Sequence, residues 1–455
     1  MDDVLLRNRT FDQLEIGESA SVVRLAEQND IDLFAAMSGD VNPAHTDAVF
    51  ASGDLFGHVV VQGMWTAGLI SAVLGTKLPG PGTIYLDQNL QFQRPVVPGD
   101  VITTTVTVKE KHAEKHIVLL DTHCINQKGQ MVLLGTATVI APGTPVAWRQ
   151  TVRPDIAVRR HDRYQAFIRN ARSSPALRTA IVPPCSVDAI RAAIEARDEG
   201  LLDPLLIGPE AKIRAAAEAA QLSLEGVTIE AVEHSHAAAA RAVELGAAGK
   251  VDALMKGSLH TDELLSAVVA SSSNLRTGRR ISHAYAMDVP AYSKPLIVTD
   301  AAINIAPSLE QKRDICQNAI DLLHVLGVEV PRVAVLAAEE TVNPRMPTTL
   351  DAAALTVMAA RGQITGALVD GPLAFDNAIS LAAAQVKGIN SPVAGQADIL
   401  LVPDLEAGNM LAKQLMYFAG ADGAGIVLGA RIPIILTSRA DTLRGRLASA
   451  ALAKL

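Results

Sequence analysis

The sequence predicts two folded parts of different class, an α+β part followed by an α/β part. Three observations carry that reading. Up to about Pro142, helical patterning from Ala26 to about Leu78 gives way to four β-rich runs. From about Leu177, short apolar runs alternate with Ala-rich helical stretches. Between them, residues 143–172 hold Pro145, Pro154 and seven arginines from Arg149 to Arg172. At 455 residues the chain is longer than one ordinary core encloses, so more than one domain is expected.

In the first part, turn signals at SGDVNP interrupt the helical stretch. Strands follow from Gly82: IYLDQNLQFQRPV, DVITTTVTVKEKH, HIVLLDTHCINQKG and QMVLLGTATVIAP, separated by PGD and KGQ turns. A helical segment followed by a meander of long strands predicts a curved antiparallel sheet packed on a helix. The arginine-containing seam reads as a solvated linker running into an amphipathic helix, and no aromatic interleaving supports nucleic-acid stacking. In the second part TAIVPP, PLLIG, VTIEAV, ALMKG, PLIVTD, RVAVLAA, GALVDG, ADILLVPD and IPIILTS read as strands of a parallel sheet with helices on its faces.

Composition narrows the function. Aromatic residues make up only 3%, so the cores must be built from Ala, Val, Leu and Ile. A net charge of −8 excludes a chain that binds polyanions as a whole, and no nucleic-acid partner is expected. MDDVLLRNRT has acidic residues and no long apolar run, so no signal peptide is expected. No stretch of membrane-span length is free of charge, so no membrane partner is expected either. Cys124, Cys185 and Cys316 are far apart and odd in number, which predicts neither a disulfide framework nor a zinc site. A reducing cytoplasm, no metal and no tightly bound cofactor are the expectation.

The densest motif of the first part is FAAMSGDVNPAHTDAVFA, residues 34–51. Phe34 to Met37 end a helix, Gly39 stops it, and Asn42-Pro43 forces a turn. Asp40 and His45 are carried on either side of that turn, facing one water molecule. Hydration of a double bond conjugated to a thioester needs such a pair, one group taking a proton from water and an acid protonating the α-carbon. The thioester oxygen gains negative charge, and the N–H of Gly63, at the start of an apolar helix, would meet it at the positive end of the helix dipole. Taken alone, an Asp-x-Asn-Pro-x-His string reads as a helix stop and a turn.

The whole string is more specific. Phe34, Ser38, Gly39, Asp40, Asn42, Pro43, His45 and Ala51, with Gly63-Met64 and FQRPVVPGD, resemble the MaoC-like, (R)-specific enoyl-CoA hydratase family. The resemblance covers residues 10–141 and implies a hot dog fold. By it, Asp40 and His45 are the water-activating dyad and Gly63 the oxyanion donor, while Asn42 shapes the turn or bonds to the dyad.

In the second part, polar residues stand where apolar runs end, the place where open α/β sheets bind ligands. MKGSLHT puts Lys256, Gly257, Ser258 and His260 at a strand-to-helix turn suited to a phosphate; no GxxxxGK[ST] loop is present, and taken by itself the motif reads as an ordinary capped helix. Three more runs end on Asp300, Asp370 and Asp404. Each reads singly as a helix N-cap. Spaced carboxylates also suit Mg²⁺ in a decarboxylating dehydrogenase, but no GxGxxG accompanies them. Arg276, Arg279 and Arg280 read equally as a phosphate or CoA pyrophosphate site and as a solvated loop.

KGSLHT, TDAAINI, DGPLAFDNA, QADILLVPDLEAGN and LTSRAD together resemble the phosphate acetyl/butyryltransferase family, of isocitrate dehydrogenase-like fold, over residues 160–455. The resemblance implies acyl transfer between CoA and inorganic phosphate. Ser438 and Arg439 match the family's Ser-Arg pair, Ser438 for the carbonyl oxygen and Arg439 for phosphate. Lys256, Ser258, His260, Arg276, Arg280, Asp300 and Asp370 are expected around the substrates. The acetyl-type pattern has an Asp seven residues after that Ser as thiol base; here Gly445 stands there, Asp441 is the substitute, and SRAD looks like the butyryl type.

The expectation is therefore a bifunctional acyl-CoA enzyme that acts on coenzyme A thioesters and phosphate and assembles as a homo-oligomer. Its domains are a hot dog domain at 10–142, a linker and lead-in helix at 143–172, and a two-lobed transferase domain at 173–455. One lobe combines 173–300 with 430–455; the other is 301–429. The rival readings are an active hydratase carrying a degenerate transferase scaffold, and a non-enzymatic acyl-CoA sensor.

Overall fold

The computed structural model describes residues 5–149, 162–437 and 441–455. Two compact units emerge, Met1–Arg159 and Arg160–Leu455. Part of the seam (Arg153, Arg159 and Arg160) lies outside the described residues, as do Ser438 and Arg439.

The first unit begins with β1 (Leu5–Arg7) and β2 (Ser19–Leu25), followed by helices α1 (Gln28–Ser38), α2 (Pro43–Thr46), α3 (Ala48–Ser52) and α4 (Gly63–Thr76). Strands β3 (Ile84–Phe92), β4 (Val101–His112), β5 (Ile117–Ile125), β6 (Met131–Ile140) and β7 (Ala147–Arg149) complete it. An antiparallel sheet runs in the order β2-β4-β5-β6-β3, and β1 pairs with β7. The four β-rich runs of the sequence are β3 to β6. Thr66, Ala67, Ile70, Val73 and Leu74 form the buried stripe of α4, at the spacing that puts them on one helix face. That stripe packs on Ile102, Val106, Val118, Leu120 and Ala137 of the sheet. A sheet wrapped on a central helix is the hot dog arrangement. β2 was not foreseen, because SASVVRL carries little apolar alternation; pairing with β4 from Ser19↔Thr107 to Leu25↔Val101 gives it its place.

The second unit opens with α5 (Asp162–Arg172), β8 (Leu177–Val182), α6 (Val187–Asp198), β9 (Leu202–Gly208), α7 (Glu210–Ala219), β10 (Thr228–Ala231), α8 (Ser235–Ala247), β11 (Ala253–Lys256) and α9 (Thr261–Val269). Next come β12 (Ser282–Asp288), β13 (Leu296–Thr299), α10 (Leu309–Val325), β14 (Arg332–Leu336), α11 (Pro347–Ala360), β15 (Leu368–Leu373), α12 (Phe375–Ile379) and α13 (Leu381–Val386). It ends with β16 (Ile399–Leu401), α14 (Leu405–Tyr417), β17 (Asp422–Leu428), β18 (Ile434–Ile435) and α15 (Leu443–Lys454).

These strands make one sheet in the order β10-β9-β8-β11-β18-β17-β12-β13-β16-β14-β15. The expected parallel pairing holds in the blocks β10 to β18 and β13 to β15. Two antiparallel strands, β17 and β12, join the blocks and reverse their direction. Neither was foreseen, since SHAYAMD and DGAGIVL are short of branched apolar residues. Alternation on β12 sends Ala284 and Ala286 to the core under α10 and α11, and Tyr285 and Met287 to the core on the opposite face. Among the described residues no helix is long and apolar enough to cross a membrane.

Candidate active sites

In the first unit Gly39 ends α1 with φ 76°, a left-handed conformation that glycine adopts without steric cost. Ser38 steadies the exit: its hydroxyl donates to the Phe34 carbonyl at 2.6 Å and accepts the Asp40 N–H at 3.2 Å. Asn42 caps α2 by accepting from the Ala44 N–H at 3.2 Å, and Pro43 sits in the first turn, where its missing N–H costs nothing. The Asn42 contact with Asp40 is made by its backbone N–H, at 3.4 Å.

His45 rides on α2. Its Nδ1 is 2.7 Å from the Val60 carbonyl and its Nε2 4.0 Å from Asp40 Oδ2. The Val60 segment is itself pinned, Val60 N–H donating to the Ala44 carbonyl and Val61 N–H to the Val96 carbonyl. Gly63 opens α4, where a backbone N–H has no helical carbonyl behind it. His45 and Gly63 line one cavity of about 330 Å³ with Phe56, Val60, Phe92 and Val132. Asp40 is half-exposed and belongs to the site through His45.

Sequence reasoning missed the supports of this site. Gln62 is buried and donates to the Ile31 carbonyl at 3.2 Å, fixing the residue before Gly63. Phe92 lies over Gly63 so closely that a Cβ there would come 3.0 Å from its ring. A glutamine directly before a helix-starting glycine was the one signal available.

In the second unit Gly257 passes so near the chain at Pro183 that a Cβ would lie 2.2 Å from the Pro183 carbonyl oxygen, which only glycine allows. This crossing puts Ser258 Oγ 3.1 Å from Ser186 Oγ, beside the buried Lys256, and leaves His260 at the N-terminus of α9. Asp300 follows β13 and is buried. Its oxygens accept from the N–H groups of Ala302, Ile303 and Asn304 and from the Asn304 side chain. Asn304 Oδ1 in turn accepts from Arg280 Nε at 2.7 Å. Arg276 and Arg280 line a groove of about 990 Å³ with Thr277, Ile303 and Arg313. Arg279 is held by Asp321.

Of the other two expected strand ends, Asp404 is the helix N-cap it reads as singly and Asp370 is not. Asp404 caps α14 by accepting from the Ala407 N–H. Asp370 lies inside β15, on the edge of the sheet, and accepts from the Gly371 N–H at 2.9 Å; its apolar run continues past it to Leu373.

Ser438 and Arg439 lie between β18 and Asp441. Thr442 caps α15 by accepting from the Gly445 N–H, and a Cβ on Gly445 would stand 3.1 Å from the Gly423 carbonyl oxygen. His283 and Tyr285, two residues apart on β12, were not foreseen either. Their rings meet edge-on with centroids 4.4 Å apart. Burial pushes His283 down to about 4, against the opposing pull of Asp300 and the Leu436 carbonyl. Burial, then the charge of Asp441, pushes Tyr285 up to about 12. Two ring side chains in a strand of small residues were the readable signal.

Residues 225–454, just over half the chain, match the family described as phosphate acetyl/butaryl transferase. The chain belongs to this family. A phosphate acetyltransferase of Rhizobium meliloti is 58% identical over 293 residues, covering 64% of this chain and 93% of that protein. A phosphate butyryltransferase of Clostridium acetobutylicum is 38% identical over 292 residues, 64% of this chain and 97% of its own. Among solved structures, a branched-chain phosphotransacylase from Enterococcus faecalis matches with 30% identity and a TM-score of 0.54, over 61% of this chain and 98% of that one. Residues 12–126 match the MaoC like domain.

Proposed function

We propose that the protein is a bifunctional acyl-CoA enzyme. Its first unit adds water to a trans-2-enoyl-CoA, giving a 3-hydroxyacyl-CoA; its second exchanges an acyl group between CoA and inorganic phosphate. The observation that carries the first half is the convergence of His45 and Gly63 on one cavity, with Asp40 4.0 Å from the imidazole. Water held between Asp40 and His45 loses a proton as its oxygen attacks the β-carbon, and the pair returns a proton to the α-carbon. The Gly63 N–H faces the charge that develops on the thioester oxygen. Asn42 supports the pair by shaping its turn.

For the second half the family match carries the reading. The CoA thiol loses its proton and attacks the acyl phosphate carbonyl, the tetrahedral oxyanion collapses, and phosphate leaves. Ser438 is assigned to the carbonyl oxygen, Arg439 to phosphate and Asp441 to the thiol proton. Arg276 and Arg280 are assigned to phosphate groups in their groove, Lys256, Ser258 and His260 to the turn beside it. The acceptor sites of Asp300 are taken by the chain's own donors, so its assigned role is to hold Asn304 and through it Arg280. Asp370 is assigned to a ligand contact at the edge strand β15.

The functional domains are proposed as 10–142 and 173–455, the latter in lobes 173–300 plus 430–455 and 301–429. Exposed Met410, Tyr417 and Phe418 at α14 support a homo-oligomer. Free Cys124, Cys185 and Cys316 suit a reducing cytoplasm. Neither reaction requires a tightly bound cofactor.

The test is a pair of assays on one preparation: crotonyl-CoA hydration, and phosphate-dependent CoA release from acetyl-, propionyl- and butyryl-CoA. Arg439→Lys keeps the charge but loses the planar fork, so the KM for phosphate should rise while hydration is unchanged. Hydration without any phosphate-dependent CoA release would favour the scaffold reading, which the glycine at 445 makes specific.

A further inference from the structure

The catalytic residues of the second unit do not account for a cavity of about 390 Å³ on the face of the sheet that carries Ala286 and Ile297. Ala286 and Ile297 line it, whereas Tyr285, next to Ala286 on β12, packs into the core of the opposite face. Its walls are apolar, with Phe167 from α5, Leu326 and Val328 after α10, and Leu452 from α15. An apolar cavity of ~150 Å³ already holds a benzene-sized molecule, and ligand sites begin at roughly 300 Å³.

The charges on its lining decide what kind of ligand fits. Arg163 donates to Asp288 at 3.0 Å and to the Tyr292 carbonyl; Lys294 donates to Asp398 at 2.5 Å and to the Gln396 carbonyl; Asp422 is 3.0 Å from Arg444. Each ionised side chain already has its counter-charge. A charged ligand would have to break one of these pairs and leave a partly buried ion uncompensated. We infer that this cavity is a binding site for an uncharged, mainly apolar small molecule and that its occupancy modulates the transferase.

The coupling runs through α15. Arg444, in its first turn, stacks over the Tyr164 ring at 4.1 Å, accepts the Tyr164 hydroxyl on its carbonyl at 3.4 Å, and pairs with Asp422. Tyr164 and Asp422 both line the cavity. Arg444 stands three residues after Asp441, the proposed thiol base. A ligand that pushes on Tyr164 or Asp422 therefore shifts the start of α15, whose N-cap Thr442 directly follows that base.

The probe is indole, uncharged and mainly apolar, titrated into the full chain by calorimetry, with indole-3-carboxylate beside it. Saturable binding of indole with Kd below about 1 mM is expected, and at least tenfold weaker binding of the carboxylate. Val328→Phe fills the cavity away from the catalytic cleft; it should keep basal activity and weaken indole about tenfold. Ala448→Leu is the second filling variant if the first does not fold. No saturation, undiminished binding in a folded filling variant, or equal binding of the carboxylate overturns the site. The regulatory part rests on the transferase reading, and saturating indole should change kcat or the thiol-linked pH profile of CoA release at least twofold. An unchanged rate in an active, indole-saturated enzyme overturns it. Calorimetry requires no turnover, so failure of the site and failure of the transferase reading are separate results.

Discussion

His45 Nδ1 lies 2.7 Å from the carbonyl oxygen of Val60. A carbonyl only accepts, so Nδ1 carries the hydrogen, and the neutral ring presents an unprotonated Nε2 on the side of Asp40. The Val60 carbonyl thus sets the tautomer that a water-activating histidine needs.

The hydratase pair is tested by substitution. Asp40→Asn and His45→Gln should each lower crotonyl-CoA hydration by roughly 10²–10⁴-fold, the usual loss on removing a positioned acid or base. Circular dichroism of both variants should match the parent. Full hydration rates in both would sink the assignment.

Phe92 and Gly63 give a second test. A methyl on Gly63 would meet Cε1 of Phe92 at 3.0 Å and Cζ at 3.2 Å. That ring is half-exposed and can move, so Gly63→Ala should fold. The displaced ring narrows the cavity at the proposed oxyanion donor, and kcat/KM for hydration should fall about tenfold, since misplacement by about 1 Å is costly in an active site. Phe92→Leu added to Gly63→Ala should recover part of the loss. A double variant no faster than Gly63→Ala would remove Phe92 from the explanation.

Much of this was legible in the sequence, for physical reasons. β4 to β6 announced themselves by β-branched runs and glycine turns, β3 by its spaced aromatic and aliphatic residues, and Gly39, Asn42 and Pro43 carry their geometry in their residue type. What escaped depends on tertiary pairing. β2 exists because β4 offers it a ladder, and β12 and β17 because two parallel blocks meet there. The Val60 carbonyl that orients His45 belongs to a backbone, which sequence patterns do not register. Asp300 was legible as a polar residue after a strand, but its engagement by four donors was not.

His283 supplies a pH prediction. Its unfolded value is near 6.5 and burial lowers it to about 4 in the folded protein. Between these values the unfolded chain binds the extra proton, so stability is complete above about pH 6.5 and is lost as pH falls towards 4. The slope from this one group cannot exceed about 1.4 kcal/mol per pH unit. Denaturant melts of the wild type and His283→Asn at pH 7, 6, 5 and 4.5 should diverge in slope, the variant being flatter. Parallel curves would show that His283 keeps its proton equilibrium on folding.

The last prediction concerns the missing acetyl-type carboxylate. If Asp441 takes the thiol proton, Asp441→Asn should slow CoA-dependent acyl transfer most at low pH, where free thiolate is scarce. Restoring the acetyl-type residue by Gly445→Asp should not compensate. Its Cβ would stand 3.1 Å from the Gly423 carbonyl oxygen, and Gly423 is fixed by its pairing with Met287 in the sheet. Crowding against an immobile backbone should cost roughly 1–3 kcal/mol, read as a lower Tm. The double variant Asp441→Asn with Gly445→Asp should therefore be both slow and less stable. A double variant that melts like the parent and regains its rate at low pH would show that position 445 can house the base, and Asp441 would lose the role.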